Sequence, residues 1–484
     1  MQDTAYSTLL RGRRQQIHAR VATTLEKQFP EMVAAQPQLI AHHCSEAGLT
    51  EKAVGYWLQA GRQSWARSAM SEAEAQVTRG LALLSLLPED DERDGRELDL
   101  QMALGATLSA TAGYAAPGVG QAYARARELC ERLDRPLELA FLLSGQCVYH
   151  VLAGDLSLAC KEAQDIVDLA ETKKNADVKF VGIWVSAIAL FHMGDFTSTK
   201  IYAEQALRLY RRENPLFSWM PNDPKASDLN FLFRSLIYLG YLDRARLYQE
   251  KALAYARERH PYALAEAVQI SSETDEALQV DAGLRLNRAE ETIAHCTEQG
   301  FPFWATAASR SRGESLLDLG RTNEAVIALS DALIKFQATG AVTNVPVFRC
   351  SLAKALGKAG QPGEGLKQLA EAERQIESTE QRWYEAEMHR VYGELQIAVG
   401  DSAENRLDRA ITVARRQKAK LWEIRAATSL ARLWRDQGKR TEARDLLASV
   451  YGWFTEGLDT PVLQDAKKLL DQLGGGEPVP VGSW

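Results

Sequence analysis

Between Gly313 and Ala332 this 484-residue chain reads Gly-Glu-Ser-Leu-Leu-Asp-Leu-Gly-Arg-Thr-Asn-Glu-Ala-Val-Ile-Ala-Leu-Ser-Asp-Ala. Gly320 separates two helical segments and can adopt the left-handed conformation that often ends a helix. After it, apolar side chains recur at the spacing of one helix face, at Val326, Leu329, Leu333 and Phe336. The stretch therefore predicts two helices joined by a tight corner, with an apolar stripe that a neighbouring pair must cover.

Glycines at comparable corners recur through most of the chain. They lie at positions 154, 194, 240, 320, 360, 400 and 438, so the gaps are 40, 46, 80, 40, 40 and 38 residues. The gap of 80 corresponds to two periods with one marker missing. In five corners an alanine follows five residues later, namely Gly48 with Ala53, Gly154 with Ala159, Gly240 with Ala245, Gly320 with Ala325, and Gly438 with Ala443. Three other corners carry Thr199, Gly365 and Asn405 at the alanine position. In the last of them we expect Ala403 to take the place of the missing alanine. Such a period is typical of a solenoid of helix pairs.

The small residues Gly313, Ala325 and Ala332 match the pattern of a tetratricopeptide (TPR) repeat. We therefore predict an all-α fold, a TPR-like α-solenoid in which about ten antiparallel helix pairs form a right-handed superhelix. We expect a leading helix within residues 1–36, N-terminal repeats at 37–212, C-terminal repeats with a closing helix at 213–473, and a disordered tail at 474–484. Two places for a bend are the acidic run 88–92 and the Pro-rich segment 214–228.

The composition excludes several classes of protein. Hydrophobic residues make up 46% of the chain and Gly and Pro are close to average, which excludes a collagenous or mostly disordered chain. Lys and Arg total 57 against 64 Asp and Glu, and this net charge of −7 argues against nucleic acid as a partner. Without a long apolar run or a signal-peptide pattern, we expect a cytoplasmic protein that does not enter a membrane. The six widely spaced cysteines suit reduced thiols.

The sequence contains no recognisable catalytic motif. The run 357–360, Gly-Lys-Ala-Gly, lacks the leading glycine and the hydroxyl of a phosphate-binding loop. His42, His43 and Cys44 form a cluster of metal-ligating side chains, but adjacent helix positions point about 100° apart and cannot share one metal without distortion. We therefore predict no catalytic, cofactor-binding or metal-binding residue, and a protein that is not an enzyme.

Two segments depart from the repeat pattern. The corner at 113–118, Gly-Tyr-Ala-Ala-Pro-Gly, is longer than the others and carries an aromatic residue. It is either a binding loop or a corner in which Tyr114 packs into the core. The apolar segment Phe217-Ser-Trp-Met-Pro221 either forms a contact surface or folds back into the concave groove.

Several stretches resemble one group of bacterial signalling proteins. They are Gln2–Tyr6 with Ser7–His18, Ile40–Gly48 with Ala53–Gly61, Gly113–Pro117, Arg382–Glu387 with Gly393–Leu395, and Ala426–Trp434 through Gly438 to Val450–Gly457. Together they are similar to the C-terminal half of multidomain proteins in which a class III adenylate/guanylate cyclase domain precedes a STAND-type ATPase and a long TPR array. The first of them resembles the junction that follows the winged-helix part of the ATPase.

The resemblance implies a non-catalytic regulatory or sensor region, because the cyclase and ATPase residues of that group lie upstream of the matched part. Its expected partner is a protein or peptide in the concave groove, or a cyclase/ATPase module. One alternative is the regulatory part of a nucleotide cyclase that acts with a separate or missing catalytic half. Another is the sensor region of a transcriptional regulator, for which the basic N-terminal helix with Arg11, Arg13, Arg14 and Arg20 would be the contact.

Overall fold

A computed structural model describes residues 10–211 and 222–474 of the protein. These residues form 24 α-helices and no β-strand. The helices are α1 (Arg11–Gln28), α2 (Pro30–Ala35), α3 (Pro37–Ala47), α4 (Thr50–Ala66), α5 (Met70–Leu84), α6 (Asp91–Thr111), α7 (Pro117–Arg132), α8 (Pro136–Ala153), α9 (Leu156–Lys173), α10 (Ala176–His192), α11 (Phe196–Leu209), α12 (Pro224–Leu239), α13 (Leu242–Arg257), α14 (Pro261–Ala277), α15 (Ala282–Gln299), α16 (Pro302–Asp318), α17 (Thr322–Ala338), α18 (Val345–Lys358), α19 (Pro362–Thr379), α20 (Glu385–Ala398), α21 (Glu404–Arg416), α22 (Lys420–Asp436), α23 (Arg440–Tyr451) and α24 (Pro461–Gly474). The predicted all-α, TPR-like solenoid is confirmed.

From α8 onward the helices alternate between an inner and an outer layer. Each even-numbered helix packs against the odd-numbered helix that follows it and against the next even-numbered helix, which places the even-numbered helices inside. Every residue of the inner helix α12 except Lys225 is buried. The outer helix α17 buries one stripe, with Leu329, Leu333 and Phe336, and leaves Ile334 exposed. One inner helix, α8, is long and apolar enough to cross a membrane, but half of it is buried within the solenoid.

The corner glycines adopt the predicted conformation. A φ angle between 76° and 90° is found at Gly154, Gly194, Gly240, Gly320, Gly360, Gly400 and Gly438. Where the period lacks its marker, Gln279 takes φ 59° between α14 and α15. A non-glycine residue therefore occupies the left-handed position at that corner, which explains why the glycine spacing doubles there.

Small residues permit the close packing within a pair. A β-carbon at Gly313 would lie 2.5 Å from Cγ of Leu329, so no larger residue fits without a shift of that leucine. Ala325 of α17 is also fully buried. In the corner that deviates, Asn405 is exposed and Ala403 is buried, as expected from the sequence.

The helices on either side of both expected bends pack against each other, α5 on α6 and α11 on α12. Asp90 of the acidic run caps α6, where its side chain accepts a hydrogen bond of 2.8 Å from the amide of Arg93. The predicted leading segment contains two helices because Pro30 begins α2 at a position where its missing N–H costs nothing. The predicted tail beyond Gly474 and the segment Phe217–Pro221 lie outside the described residues.

Successive turns of the superhelix touch each other. Inner helix α6 contacts α16, and α12 contacts α22, so the chain returns to itself after ten helices, or five pairs. Backbone hydrogen bonds of 2.8 Å join the turns, from Val342 to the carbonyl of Leu152 and from Arg382 to the carbonyl of His192. The open concave groove expected from the sequence is therefore narrowed to cavities between the inner helices.

Candidate functional site

One of these interior spaces, here called the large cavity, has a volume of about 450 Å³. It is formed chiefly by the inner helices α14, α16, α18, α20 and α22, with Tyr238 from α12. Six of its lining residues are acidic and six are basic: Glu273, Glu276, Glu314, Asp318, Glu387 and Glu394, with Arg310, Lys354, Lys358, Arg390, Arg425 and Arg432. A cavity lined with equal numbers of both charges is unusual for the interior of a helical repeat, where apolar side chains dominate.

One group of charges bridges α14, α16 and α18. The guanidinium of the buried Arg310 lies 2.9 Å from the carboxylate of Glu276, whose side chain is 13% exposed. The ammonium of Lys354 lies 2.5 Å from Glu314 and 3.7 Å from Glu276. Arg310 also donates a hydrogen bond of 3.2 Å to the hydroxyl of Ser351. These contacts link three successive inner helices through their polar side chains.

A second group of charges bridges α20 and α22. The carboxylate of Glu387 accepts from two guanidinium groups, at 2.6 Å from Arg390 and at 2.8 Å from Arg425. Burial alone would raise the pKa of this carboxyl, but the two guanidinium groups outweigh burial and hold its pKa well below the usual value. Arg425 also donates a 2.8 Å hydrogen bond to the carbonyl of Ala277, at the end of α14. Glu387 therefore stays ionised and fixes the orientation of both arginines.

Aromatic rings form another part of the same wall. The rings of Tyr238 and Trp422 have centroids 4.9 Å apart, and those of Tyr384 and Trp422 lie 5.5 Å apart. The indole N–H of Trp422 donates a 3.1 Å hydrogen bond to the carbonyl of Trp383, which holds the ring in place. The large cavity thus combines fixed charges with rigid apolar surfaces, the combination expected of a ligand pocket.

A second space, here called the small cavity, has a volume of about 90 Å³ and shares four lining residues with the first, Glu273, Arg310, Val347 and Trp383. The two cavities are therefore neighbours across these side chains. Seven residues of its lining are aromatic: Tyr114, Phe231, Phe303, Trp304, Phe336, Phe348 and Trp383. The rings of Phe336 and Phe348 stack with centroids 4.3 Å apart.

The small cavity contains one carboxylate of unusual environment. Glu266 is 2% exposed and accepts a 2.8 Å hydrogen bond from the side-chain amide of Asn222. Burial raises the pKa of Glu266 to about 7, and the bond from Asn222 offsets only part of that effect. The other lining carboxylate, Glu273, pairs with Arg234 at 3.2 Å. Among the described residues, no lysine or arginine forms an ion pair with Glu266.

The unusual corner at 113–118 contributes to this cavity. Tyr114 is buried, and its ring packs edge-on against Phe303 with centroids 5.4 Å apart. Its hydroxyl donates a 2.8 Å hydrogen bond to the side-chain carbonyl of Asn222. The second of the two interpretations, a corner with a packed tyrosine, is therefore correct, and that tyrosine lines the small cavity as well.

The structure adds one histidine to the cluster at 42–44. His18 of α1 lies with its Nδ1 atom 2.8 Å from Nδ1 of His43, and its ring centroid is 5.8 Å from that of His42. Among the described residues, no group of three ligands is arranged to hold a metal ion. Cys44 points into the core, where burial raises the pKa of its thiol to about 11.

Apart from Tyr114, none of the residues that line the two cavities was predicted from the sequence to take part in a functional site. A signal was present in the pattern of the inner helices, where charged residues stand on one helix face at Arg310 and Glu314, and at Glu387, Arg390 and Glu394. Charges three or four positions apart are also typical of a solvated helix face. Only the position of these helices on the inside of the superhelix shows that the charges line a cavity.

No model of a known protein family matches the chain. An uncharacterized protein of Rhizobium meliloti (strain 1021) is 24% identical over 450 residues, which cover 89% of this chain and 42% of that protein. The chain therefore spans less than half the length of this curated relative.

Several solved structures are similar in fold. The match to the APC/C hetero-tetramer Cut9-Hcn1 covers 94% of this chain and 86% of the matched chain, at 11% identity and with a TM-score of 0.49. The match to a Rap protein complexed with competence and sporulation factor covers 88% of this chain and 98% of the Rap chain, at 13% identity and with a TM-score of 0.37. The match to a STAND protein with a TPR sensor from Pyrococcus horikoshii covers 79% of this chain and 56% of the STAND chain, at 15% identity and with a TM-score of 0.41.

Proposed function

We propose that this chain is a non-catalytic regulatory region that binds a short peptide segment of a partner protein inside the superhelix, at the large cavity. The observation that carries the proposal is the wall of paired charges and aromatic rings that five successive inner helices contribute to one space. A wall needed only for stability would be apolar, because buried ion pairs contribute little net stability compared with packed apolar residues.

The chemistry of the wall favours a peptide. Its charges are equal in number and largely paired with each other, so a ligand with a strong net charge would leave buried charge uncompensated. Peptide amides carry donors and acceptors without net charge and can bond to the remaining lone pairs and N–H groups of such a wall. By comparison with benzene in a cavity of ~150 Å³, 450 Å³ accommodates roughly 18 heavy atoms, or two to three residues.

The ion pairs of Glu387 and Lys354 argue for binding rather than catalysis. A general acid or base works best with a pKa near the working pH. In the large cavity the pKa of Glu387 is lowered and that of Lys354 is raised, since the ion pairs of each outweigh the effect of burial. Both groups keep their charge at neutral pH and act as fixed hydrogen-bonding partners.

We further propose that the chain acts as the sensor of a larger signalling protein of the cyclase and STAND ATPase type. The resemblance of its sequence to the C-terminal half of such proteins supports this, as does a curated relative more than twice as long as the region it shares with this chain. Peptide binding at the large cavity would then alter how the superhelix contacts a neighbouring cyclase or ATPase module. A cytoplasmic location follows from that role.

The test is selection of peptides from a displayed random library on the purified chain. Ala398 lies exposed at the rim of the large cavity, so Ala398→Trp should obstruct its entrance without removing an ion pair. Ala254→Trp, on the exposed face of the outer helix α13, is the matched control. We expect selected peptides to bind the chain and the control equally in fluorescence anisotropy, and to lose at least tenfold in affinity with Ala398→Trp. Equal binding to all three proteins, each with an unchanged melting temperature, would rule out the large cavity as the site.

A further inference from the structure

The small cavity has the chemistry of a receptor for a cation. Glu266 lines it with a carboxylate that is almost fully buried and has an amide, that of Asn222, as its hydrogen-bonding partner. The other charged residues of its lining already have partners, since Arg234 pairs with Glu273 and Arg310 pairs with Glu276. A buried carboxylate without a counter-ion is costly to ionise. A cationic ligand would supply the missing charge.

The walls of the small cavity suit the same kind of ligand. Aromatic rings attract cations through their faces, and removal of water strengthens this attraction. Three such rings, those of Phe303, Phe336 and Phe348, are in contact with each other, with centroid separations of 5.5 Å and 4.3 Å between neighbours. Aromatic walls with one carboxylate are better suited to an organic ammonium than to a metal ion, which requires several oxygen ligands.

Volume sets the size of the group. A cavity of ~150 Å³ accommodates benzene, or roughly 25 Å³ for each heavy atom. The 90 Å³ of the small cavity therefore admits about four heavy atoms, the size of the last four atoms of a lysine side chain. Because the two cavities share Glu273, Arg310, Val347 and Trp383, a group that enters the small cavity can belong to a ligand that occupies the large one.

We infer that the small cavity binds a primary ammonium group, with Glu266 as its counter-ion and the aromatic rings as its walls. This inference rests on the proposed function, since the ammonium would belong to the bound peptide. A lysine side chain and a free peptide N-terminus share this chemistry, as does a small free amine. The small cavity would then select, among peptides that fit the large cavity, those that place an amine beside Trp383.

Binding of the ammonium is coupled to a proton. With a pKa of about 7, Glu266 is partly protonated at neutral pH and must lose that proton to pair with the ligand. Asp223 raises this pKa and Arg234 lowers it. Arg234 is already paired with Glu273, so it does not take the place of a ligand ammonium as the counter-ion of Glu266. The phenols of Tyr114 and Tyr262 also face the carboxylate and remain neutral, because burial raises their pKa values. Affinity for an ammonium ion should therefore fall about tenfold from pH 8 to pH 6.

The inference is tested with n-propylammonium and its neutral analogue 1-propanol, titrated into the full chain and followed by NMR. We expect propylammonium to bind at least tenfold more tightly than propanol at pH 8, and to lose this preference in E266Q. The control is Glu250→Gln on the exposed face of α13, which should bind as the unmodified chain does. Equal affinity for both compounds in the unmodified chain, or unchanged preference in a folded E266Q, would overturn the inference.

A measurement on the unmodified chain covers the case in which E266Q does not fold. Calorimetric titration of propylammonium at pH 7 in two buffers of different ionisation enthalpy reports the protons released on binding. We expect release of about half a proton for each ammonium bound, because about half of the Glu266 carboxyls are protonated at that pH. Binding without proton release would contradict the assignment of Glu266 as the counter-ion.

Peptides that the large cavity selects distinguish the source of the ammonium. Acetylation of the peptide N-terminus removes one candidate, and replacement of each lysine by norleucine removes the other. Loss of at least tenfold in affinity identifies the group that enters the small cavity, and no loss from either change, with propylammonium still bound, identifies a free amine. Peptide binding that is sensitive to Ala398→Trp without any binding of propylammonium would sink the inference and leave the proposed function intact. Binding of propylammonium without binding of any peptide would contradict the proposed function and leave the ammonium site intact.

Discussion

Glu387 is the residue on which the charged wall of the large cavity depends most. Its carboxylate is buried and pairs with Arg390 and Arg425, so its replacement leaves Arg425 without its counter-ion and Arg390 with only the partly exposed Glu394. We expect Glu387→Gln to lower the free energy of unfolding by about 3 kcal/mol, because removal of one partner from a buried pair strands the other. Denaturant unfolding measures the change. The control is Asp331→Asn, since Asp331 pairs with Lys335 on an exposed helix face and its loss should have little effect. Equal stability of both variants would contradict this account of the wall.

His192 makes the stability of the chain depend on pH. Burial lowers its pKa to about 4, and its Nδ1–H donates a 2.9 Å hydrogen bond to the carbonyl of Ile188. The unfolded chain takes up a proton at this histidine near pH 6.5, whereas the folded chain does not until about pH 4, so stability is lost as the pH falls through this interval. We expect His192 to account for about 2 kcal/mol of destabilisation between pH 7 and pH 5. Denaturant unfolding at pH 7 and pH 5 measures the loss of unfolding free energy between them. This loss should be smaller by that amount in His192→Gln than in the unmodified chain. An equal loss in the variant would mean that other groups carry the dependence.

At the scale of the helix, the acidic run before α6 works as a cap. The side chain of Asp90 accepts a hydrogen bond from the amide of Arg93, one of the N–H groups that a helix leaves without a partner at its start. We expect Asp90→Ala to cost about 1 kcal/mol of unfolding free energy and Asp90→Ser to restore most of it. Glu89→Ala, one residue earlier and exposed, is the matched control. A loss that serine does not restore would mean that the charge of Asp90 matters more than its cap.

The helices and their corners could be predicted from the sequence because both depend on local residues. Gly320 ends one helix, and the spacing of Leu329, Leu333 and Phe336 defines the buried stripe of the next, as the structure confirms. Gln279 was not recognisable as a corner, because a left-handed glutamine leaves no mark in the sequence. The local pattern also does not distinguish an inner charge such as Arg310 from an exposed one, since both suit a helix.

At the scale of the whole molecule, the cavities could not be predicted because they depend on contacts between distant repeats. Tyr114 reaches Phe303, and Arg382 bonds to His192, although 189 and 190 residues separate the members of these pairs. Such contacts depend on the pitch of the superhelix, which is the sum of small rotations between successive pairs. Each pair follows the repeat pattern, yet the pattern alone does not fix where the turns meet.

Contact between turns makes a prediction about glycines that share a backbone conformation and differ in surroundings. Gly340 has φ 78°, and a β-carbon there would lie 2.6 Å from the carbonyl oxygen of Ala115, on the neighbouring turn. Gly320 has the same φ of 78°, but a β-carbon there would meet nothing within 4 Å. Alanine at either position carries the cost of a left-handed conformation, of about 1 kcal/mol. Only Gly340→Ala also forces the turns apart, and we expect this to lower the free energy of unfolding by a further ~1–3 kcal/mol, the size typical of overpacking.

Denaturant unfolding of both variants gives the difference, and small-angle scattering should show a larger radius of gyration for Gly340→Ala alone. Equal losses in the two variants, with no change in radius, would mean that the turns do not press on each other in solution and that the cavities open more widely than the structure shows.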